Sequence, residues 1–120
     1  MKNVTLVLGA STNPNKYSNI AIKRLVDKEI PVAALGIRKG TVLGVVIDTE
    51  KKEYKNIDTI TLYLNPKNQE EYYNYIIDLK PRRVIFNPGS ENEELVKLLE
   101  ENSIEYEVAC TLVMLSIDQY

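Results

Sequence analysis

Histidine and tryptophan are absent from this chain of 120 residues, and Cys110 is its one cysteine. Without histidine, a histidine-based catalytic triad is excluded and a zinc site is not expected. A single cysteine forms no internal disulfide, which is typical of the reducing cytoplasm. No apolar run exceeds the length of a β-strand, and residues 1–4 show no signal-peptide pattern. We therefore expect a cytoplasmic protein that neither spans nor binds a membrane.

Basic side chains, 15 against 17 acidic ones, are distributed unevenly and dominate the N-terminal third of the chain. The net charge of −2 argues against a nucleic-acid partner. Residues 1–40 carry seven basic and two acidic side chains, whereas residues 41–120 carry eight basic and fifteen acidic ones. A run of charge is more often a solvated face than a site, so this asymmetry only supports an anion site near the N-terminus.

Short apolar runs alternate with helix-like segments along the whole chain, which predicts an α/β fold in a single domain, residues 1–120. We expect a doubly wound parallel sheet of about five strands in the order 3-2-1-4-5, with helices on both faces. The first strand is the most uniformly apolar, so we place it at the centre. Residues 45–47 form at most a minor strand. The five predicted strands are residues 4–8, 32–37, 58–64, 83–87 and 105–109.

The turn after the first strand is a candidate phosphate site. Gly9 ends the strand, and small polar residues lead to a helix for which we expect Ser18 as the N-cap. The amides of such a turn and the helix dipole attract phosphate. Valine at Gly9 is expected to block the ligand and to leave the fold intact. Turns rich in glycine, proline and asparagine also follow the other strands. We therefore expect a ligand crevice at the carboxyl ends of the strands.

Two familiar nucleotide motifs do not fit this turn. Only Gly9 matches the dinucleotide fingerprint G-x-G-x-x-G, because Ser11 and Pro14 occupy its second and third glycine positions. No carboxylate follows the second strand, which disfavours NAD. The Walker motif is absent as well. Arg38 and Lys39 follow the second strand, and a basic residue there can hold the 2′-phosphate of NADP, so NADP stays open.

Residues 9–19 resemble the first turn of the CoA-binding domain family. This family includes small stand-alone CoA-binding proteins and the CoA-binding domain of the succinyl-CoA synthetase alpha subunit. Residues 87–93 look like the family's proline/glycine turn after strand four. Gly44 lies where the family has a glycine after the second-strand loop, and Cys110 looks like the family's cysteine after strand five. The resemblance covers essentially the whole chain. It implies a Rossmann-like fold that binds CoA with the pyrophosphate near the first turn.

The chain departs from this family pattern at two points. Residues 36–39 read Gly-Ile-Arg-Lys, where the family often has Asn-Pro. The stand-alone members also lack the phosphohistidine loop and the partner subunit of the synthetase, so ligase activity is not carried over. The candidate cofactor-binding residues are Gly9, Ala10, Ser11, Thr12, Asn13, Lys16, Tyr17, Ser18, Asn19, Gly36, Arg38, Lys39, Asn65, Pro88, Gly89 and Cys110.

No general base, metal cluster or nucleophile pair can be assembled from the sequence, so we predict no catalytic residue and no metal. Three functions stay open: a module that binds CoA or an acyl-CoA, an NADP-dependent oxidoreductase, and a structural or regulatory subunit with an empty site. Cys110 is a candidate for a mixed disulfide with CoA. Tyr72, Tyr73 and Tyr75 indicate a surface for a homo-oligomer.

Overall fold

A seven-stranded sheet forms the centre of the computed structural model, which describes residues 3–120. Its strand order is β3-β4-β2-β1-β5-β6-β7, and all neighbours are parallel except the antiparallel hairpin of β3 and β4. The predicted α/β class is confirmed. The strands are β1 (Val4–Ala10), β2 (Val32–Gly36), β3 (Gly40–Val42), β4 (Val45–Asp48), β5 (Ile57–Leu62), β6 (Arg83–Phe86) and β7 (Glu105–Val108).

Helices cover both faces of the sheet, as predicted. On one face the helix residues Ile22, Leu25 and Leu115 are buried against Val7 and Ala34 of the sheet. On the other face the helix residues Ile76 and Leu95 are buried in one cluster with Leu6 and Leu8. No helix within residues 3–120 has the length and apolarity to cross a bilayer. The helices are α1 (Tyr17–Asp27), α2 (Pro66–Gln69), α3 (Tyr73–Leu79), α4 (Glu93–Glu101) and α5 (Thr111–Ser116), and a 3-10 turn, Glu70–Tyr72, joins α2 to α3.

The central position of β1 is also confirmed. β1 lies between β2 and β5, and Leu6, Val7 and Leu8 have no exposed surface. A strand covered on both faces reads as a continuous apolar run instead of an alternation of apolar and polar residues. This burial explains why the first strand carries the most uniform apolar sequence in the chain.

The predicted count of five strands and the order 3-2-1-4-5 are wrong in their details. Residues 45–47 belong to β4, a full member of the sheet that pairs in parallel with β2 through Ala34 and Ile47. β4 takes the outer position that we assigned to the strand at residues 58–64. That strand is β5, and it lies beside β1 instead. If only the parallel strands are numbered, so that β4 counts as the third, their order is 3-2-1-4-5-6. β3 is left out of this count because it is an antiparallel strand at the edge of the sheet.

The start of α1 differs from the expectation as well. Lys16 is the N-cap and makes no side-chain capping bond, while Ser18 is buried inside the first turn. A hydrogen bond from the Lys16 amide to the Asn13 carbonyl, 3.0 Å, closes a turn just before the helix. The chain therefore enters the helix earlier than the hydroxyl at Ser18 suggested.

An ion pair between Arg82 and Asp58 yields a pH-dependent stability prediction. Arg82 Nε donates to Asp58 Oδ1 at 2.7 Å, and hydrogen bonding to this guanidinium holds the pKa of Asp58 below its ordinary value. A lowered carboxyl pKa stabilises the fold above the unfolded value of about 3.9, and this contribution disappears as the pH falls through the folded pKa. Since Arg82 is half exposed, Arg82→Gln should cost no more than about 1 kcal/mol at neutral pH.

Urea denaturation of the wild type and Arg82→Gln, at neutral pH and below the Asp58 pKa, checks this prediction. The difference between the two proteins should be present at neutral pH and absent in acid. An equal difference at both pH values would mean that the arginine stabilises the fold through packing and not through its charge.

Candidate functional site

A cleft of about 570 Å³ lies at the carboxyl ends of the strands. Turns after β1, β2, β5 and β6 form its walls together with the start of α1. The structure brings thirteen of the sixteen predicted site residues to this cleft, and their role in binding stays a prediction. These thirteen are Gly9, Ala10, Ser11, Thr12, Asn13, Lys16, Tyr17, Ser18, Gly36, Arg38, Asn65, Pro88 and Gly89.

Gly9 serves the fold at the end of β1. Its φ is +99°, a conformation that favours glycine, and a Cβ built there would lie 2.7 Å from the carbonyl oxygen of Tyr63. The missing side chain therefore allows the end of β1 to approach the end of β5. This corrects our expectation that valine at Gly9 would leave the fold intact.

Polar side chains shape the loop after Gly9. The Ser11 Oγ accepts from the Asn13 amide at 3.0 Å, and the Asn13 Oδ1 accepts from the Asn15 amide at 2.9 Å. Asn19 is buried and its Nδ2 donates to the Ser11 carbonyl at 2.9 Å. Asn19 therefore lies behind the cleft and holds the loop, whereas we predicted it among the binding residues.

The first turn of α1 presents positive charge to the cleft. The amides of Tyr17 and Ser18 have no hydrogen-bond acceptor within residues 3–120, as expected for the start of a helix. Lys16 and Arg38 line the same cleft, are exposed, and form no ion pair in the described part of the chain. Free amides, the helix dipole and two unpaired cations together favour an anionic ligand.

No carboxylate lines the cleft in the part of the chain that the structure describes. Asp48 ends β4, beside β2, but it accepts hydrogen bonds from the Tyr54 hydroxyl and from Lys52. The hydrogen bond from Tyr54 has the largest effect on the pKa of Asp48. Together with the bond from Lys52, it holds this pKa below its ordinary value. The acidic side chain of the adjoining strand β4 is thus occupied by other donors, which agrees with the sequence argument against NAD.

Lys39 and Cys110 are the other predicted residues that do not line the cleft. Lys39 is exposed, one position beyond Arg38. Cys110 is half-buried at the N-cap of α5, after β7, and the cleft ends at the turn after β6. The cleft-lining Tyr63 lies near this thiol, and burial raises the pKa of Tyr63 to about 12. The Tyr63 hydroxyl is buried beside the hydroxyls of Thr61 and Thr111, and hydrogen bonding to them offsets only part of the effect of burial.

Six residues outside the sixteen predicted binding residues also line the cleft. Ile37 and Ser90 belong to turns that we expected at the crevice, although neither was named as a binding residue. Tyr63 and Leu64 are typical of a strand and Tyr72 of a helix stripe, so their patterns gave no signal of a site. The six residues are Ile37, Tyr63, Leu64, Asn68, Tyr72 and Ser90.

The tyrosines that we assigned to self-association have partners inside the chain. Tyr72 is buried, and its ring packs against that of Tyr75 with a centroid distance of 6.4 Å. Tyr75 Oη donates to the Lys52 carbonyl, and Tyr73 Oη accepts from Asn92. Tyr73 and Tyr75 remain half-exposed despite these contacts, and the oligomeric state stays a prediction.

A family model described as "CoA binding domain" matches residues 3–116. The chain belongs to this CoA-binding domain family. The match covers the turns after β1, β2, β5 and β6 and the start of α1, which together form the walls of the cleft. A comparison with curated proteins found no match.

Several solved structures share the fold of this chain. A crystal structure of an uncharacterized protein is 48% identical, with a TM-score of 0.95 over 100% of this chain and 99% of that one. A conserved hypothetical protein from Pyrococcus furiosus is 29% identical, with a TM-score of 0.76 over 89% and 92% of the two chains. A Thermus thermophilus protein at 18% identity has a TM-score of 0.85 over 99% and 91%, which shows the fold alone.

Proposed function

We propose that this protein binds CoA or an acyl-CoA in the cleft and performs no chemistry of its own. The observation that carries the proposal is the unneutralised positive charge of Lys16, Arg38 and the α1 amides in a member of the CoA-binding domain family. CoA carries a pyrophosphate and a 3′-phosphate, so it offers anionic groups to both cations.

In this proposal the pyrophosphate lies against the loop at residues 9–13 and the start of α1. Arg38 receives the 3′-phosphate, because it follows β2, where the ribose of a nucleotide lies in Rossmann-like folds. The pantetheine arm then extends toward the turns after β5 and β6. The donor set fits such a ligand, since the cleft offers backbone amides and cations and no carboxylate lines it in the described chain. One amide of the β6 turn is occupied, because Gly89 N–H donates to Glu91 Oε1 at 2.7 Å.

NADP is the second candidate, because Arg38 suits a 2′-phosphate as well as a 3′-phosphate. An oxidoreductase would also need a proton donor, and the ionisable groups of the cleft are Lys16, Arg38 and tyrosines. The phenol of Tyr63 is buried. A structural or regulatory subunit with an empty site is the third candidate, and the ligand test below separates all three.

Thermal and urea denaturation with CoA, acetyl-CoA, NADP and NAD tests the proposal. A ligand present at about 100 times its Kd should add about 2.7 kcal/mol to the free energy of unfolding. We expect stabilisation by CoA or acetyl-CoA and none by NAD. Stronger stabilisation by NADP would support the oxidoreductase, and no stabilisation by any ligand would support the empty-site subunit.

The remaining predictions belong to the same proposal. We propose a cytoplasmic location and a small-molecule ligand as the partner, and we propose no nucleic-acid or membrane partner. A homo-oligomer also stays a prediction. The mixed disulfide of Cys110 with CoA also stays a prediction. Intact mass after incubation with CoA disulfide would reveal it as an adduct of the wild type that Cys110→Ser does not form.

A further inference from the structure

A buried amide, that of Gln69, joins two turns of the cleft wall. Gln69 has no exposed surface. Its Nε2 donates to the Leu64 carbonyl at 2.8 Å and to the Ser90 carbonyl at 2.7 Å. Leu64 follows β5, Ser90 follows the end of β6, and both residues line the cleft. One side chain thus sets the separation of two turns that belong to different strands.

Asn92 fixes the orientation of this amide. Its Nδ2 donates to Gln69 Oε1 at 2.9 Å and to the Tyr73 hydroxyl at 2.8 Å. Its Oδ1 caps α4 by accepting from the amides of Glu94 and Leu95. The bond from Asn92 to Gln69 Oε1 fixes which end of the amide is the oxygen. The Nε2 group therefore lies at the other end, where its two hydrogens reach the two carbonyls. No other side chain of this length offers two donors and an acceptor in this arrangement.

We infer that Gln69 is a positioning residue that sets the geometry of the pantetheine side of the site. The inference rests on the proposed function, in which Arg38 and Lys16 bind the phosphates at the other side. Loss of the Gln69 amide removes the donor to the buried Ser90 carbonyl and to the partly buried Leu64 carbonyl, so the two turns are expected to move toward other donors. The affinity for the arm of CoA should therefore depend on Gln69, and the affinity for its nucleotide part should not.

Gln69→Met tests this division, because methionine has a similar length and no N–H donor. We expect the Kd of CoA to rise by about tenfold or more and the Kd of adenosine 3′,5′-bisphosphate to stay within about twofold. Thr5→Val is the matched control. Thr5 is buried near the start of β1, at the opposite end of the sheet, and valine removes its 2.6 Å bond to the Tyr120 hydroxyl. Thr5→Val should lose stability without a change in either Kd.

Gln69→Glu tests the positioning role through the pH dependence of CoA binding, which would not change if Gln69 only supported the fold. Protonated, the introduced carboxyl still donates to one carbonyl, whereas the ionised form donates to neither and faces two carbonyl oxygens. The ratio of the CoA Kd of Gln69→Glu to that of the wild type should therefore rise with pH. The wild type, measured at each pH, corrects for titration of the CoA phosphates.

Calorimetry on folded protein distinguishes the possible failures. Wild-type protein that binds neither CoA nor the bisphosphate contradicts the proposed function itself. Wild-type binding with an unchanged CoA Kd in Gln69→Met overturns the inference alone. Equal weakening of CoA and the bisphosphate, or a Kd ratio for Gln69→Glu that is flat with pH, also overturns it, because Gln69 would then support the fold and not one side of the cleft.

Discussion

Alanine at Gly9 is expected to lower the free energy of unfolding by about 2–5 kcal/mol. Two causes add at this position. The φ of +99° disfavours any residue with a Cβ, and that Cβ would lie 2.7 Å from the oxygen and 2.9 Å from the carbon of the Tyr63 carbonyl. These are backbone atoms at the end of β5, so no side-chain rotation relieves the clash.

Gly44→Ala is the control that separates the two causes. Gly44 also has a positive φ, +82°, but a Cβ built there meets no atom within 4 Å. Alanine at Gly44 should therefore cost only the backbone strain, about 1–2 kcal/mol. Urea denaturation of both variants measures the difference. Equal losses would show that β1 and β5 can separate without cost, contrary to the packing described above.

The sequence predicted the elements of the fold that depend on local pattern. The aliphatic run at Leu6 to Leu8 indicated a strand buried on both faces, and β1 is the central strand. The third parallel strand was predicted only as a minor strand, because parallel strands are usually joined by a helix and here the short strand β3 connects β2 to β4. The short run at residues 45–47 lacked the length that would have marked a full strand.

The candidate site was predictable to the extent that it consists of turns. Glycine, proline and asparagine mark the ends of strands, and the parallel topology then brings these turns to one edge. The side chains that set the cleft's geometry were not predictable in the same way. Gln69 gives no sequence signal, since its role depends on two carbonyls that are close only after β5 and β6 pair. Cys110 follows a strand as expected, but its strand lies beyond the edge of the cleft.

Arg38→Ala is expected to abolish most of the discrimination between CoA and dephospho-CoA. In the proposed site Arg38 binds the 3′-phosphate, which its guanidinium can hold with two charge-assisted hydrogen bonds. Such a bond contributes about 1.5–3 kcal/mol, so the wild type should bind CoA about ten- to a hundredfold more tightly than dephospho-CoA. Since Arg38 is exposed and forms no ion pair in residues 3–120, its loss should leave stability almost unchanged.

Calorimetry with CoA, dephospho-CoA and NADP measures this effect on the wild type, Arg38→Ala and Arg24→Ala. Arg24 is an exposed arginine in the last turn of α1 and does not line the cleft, so its variant makes the same change in net charge away from the site. Arg24→Ala should keep the full preference for CoA, whereas Arg38→Ala should lose it together with much of the salt dependence. Equal affinity of the wild type for CoA and dephospho-CoA would remove Arg38 from the site. Tighter binding of NADP than of CoA would assign the same arginine to a 2′-phosphate and favour the oxidoreductase.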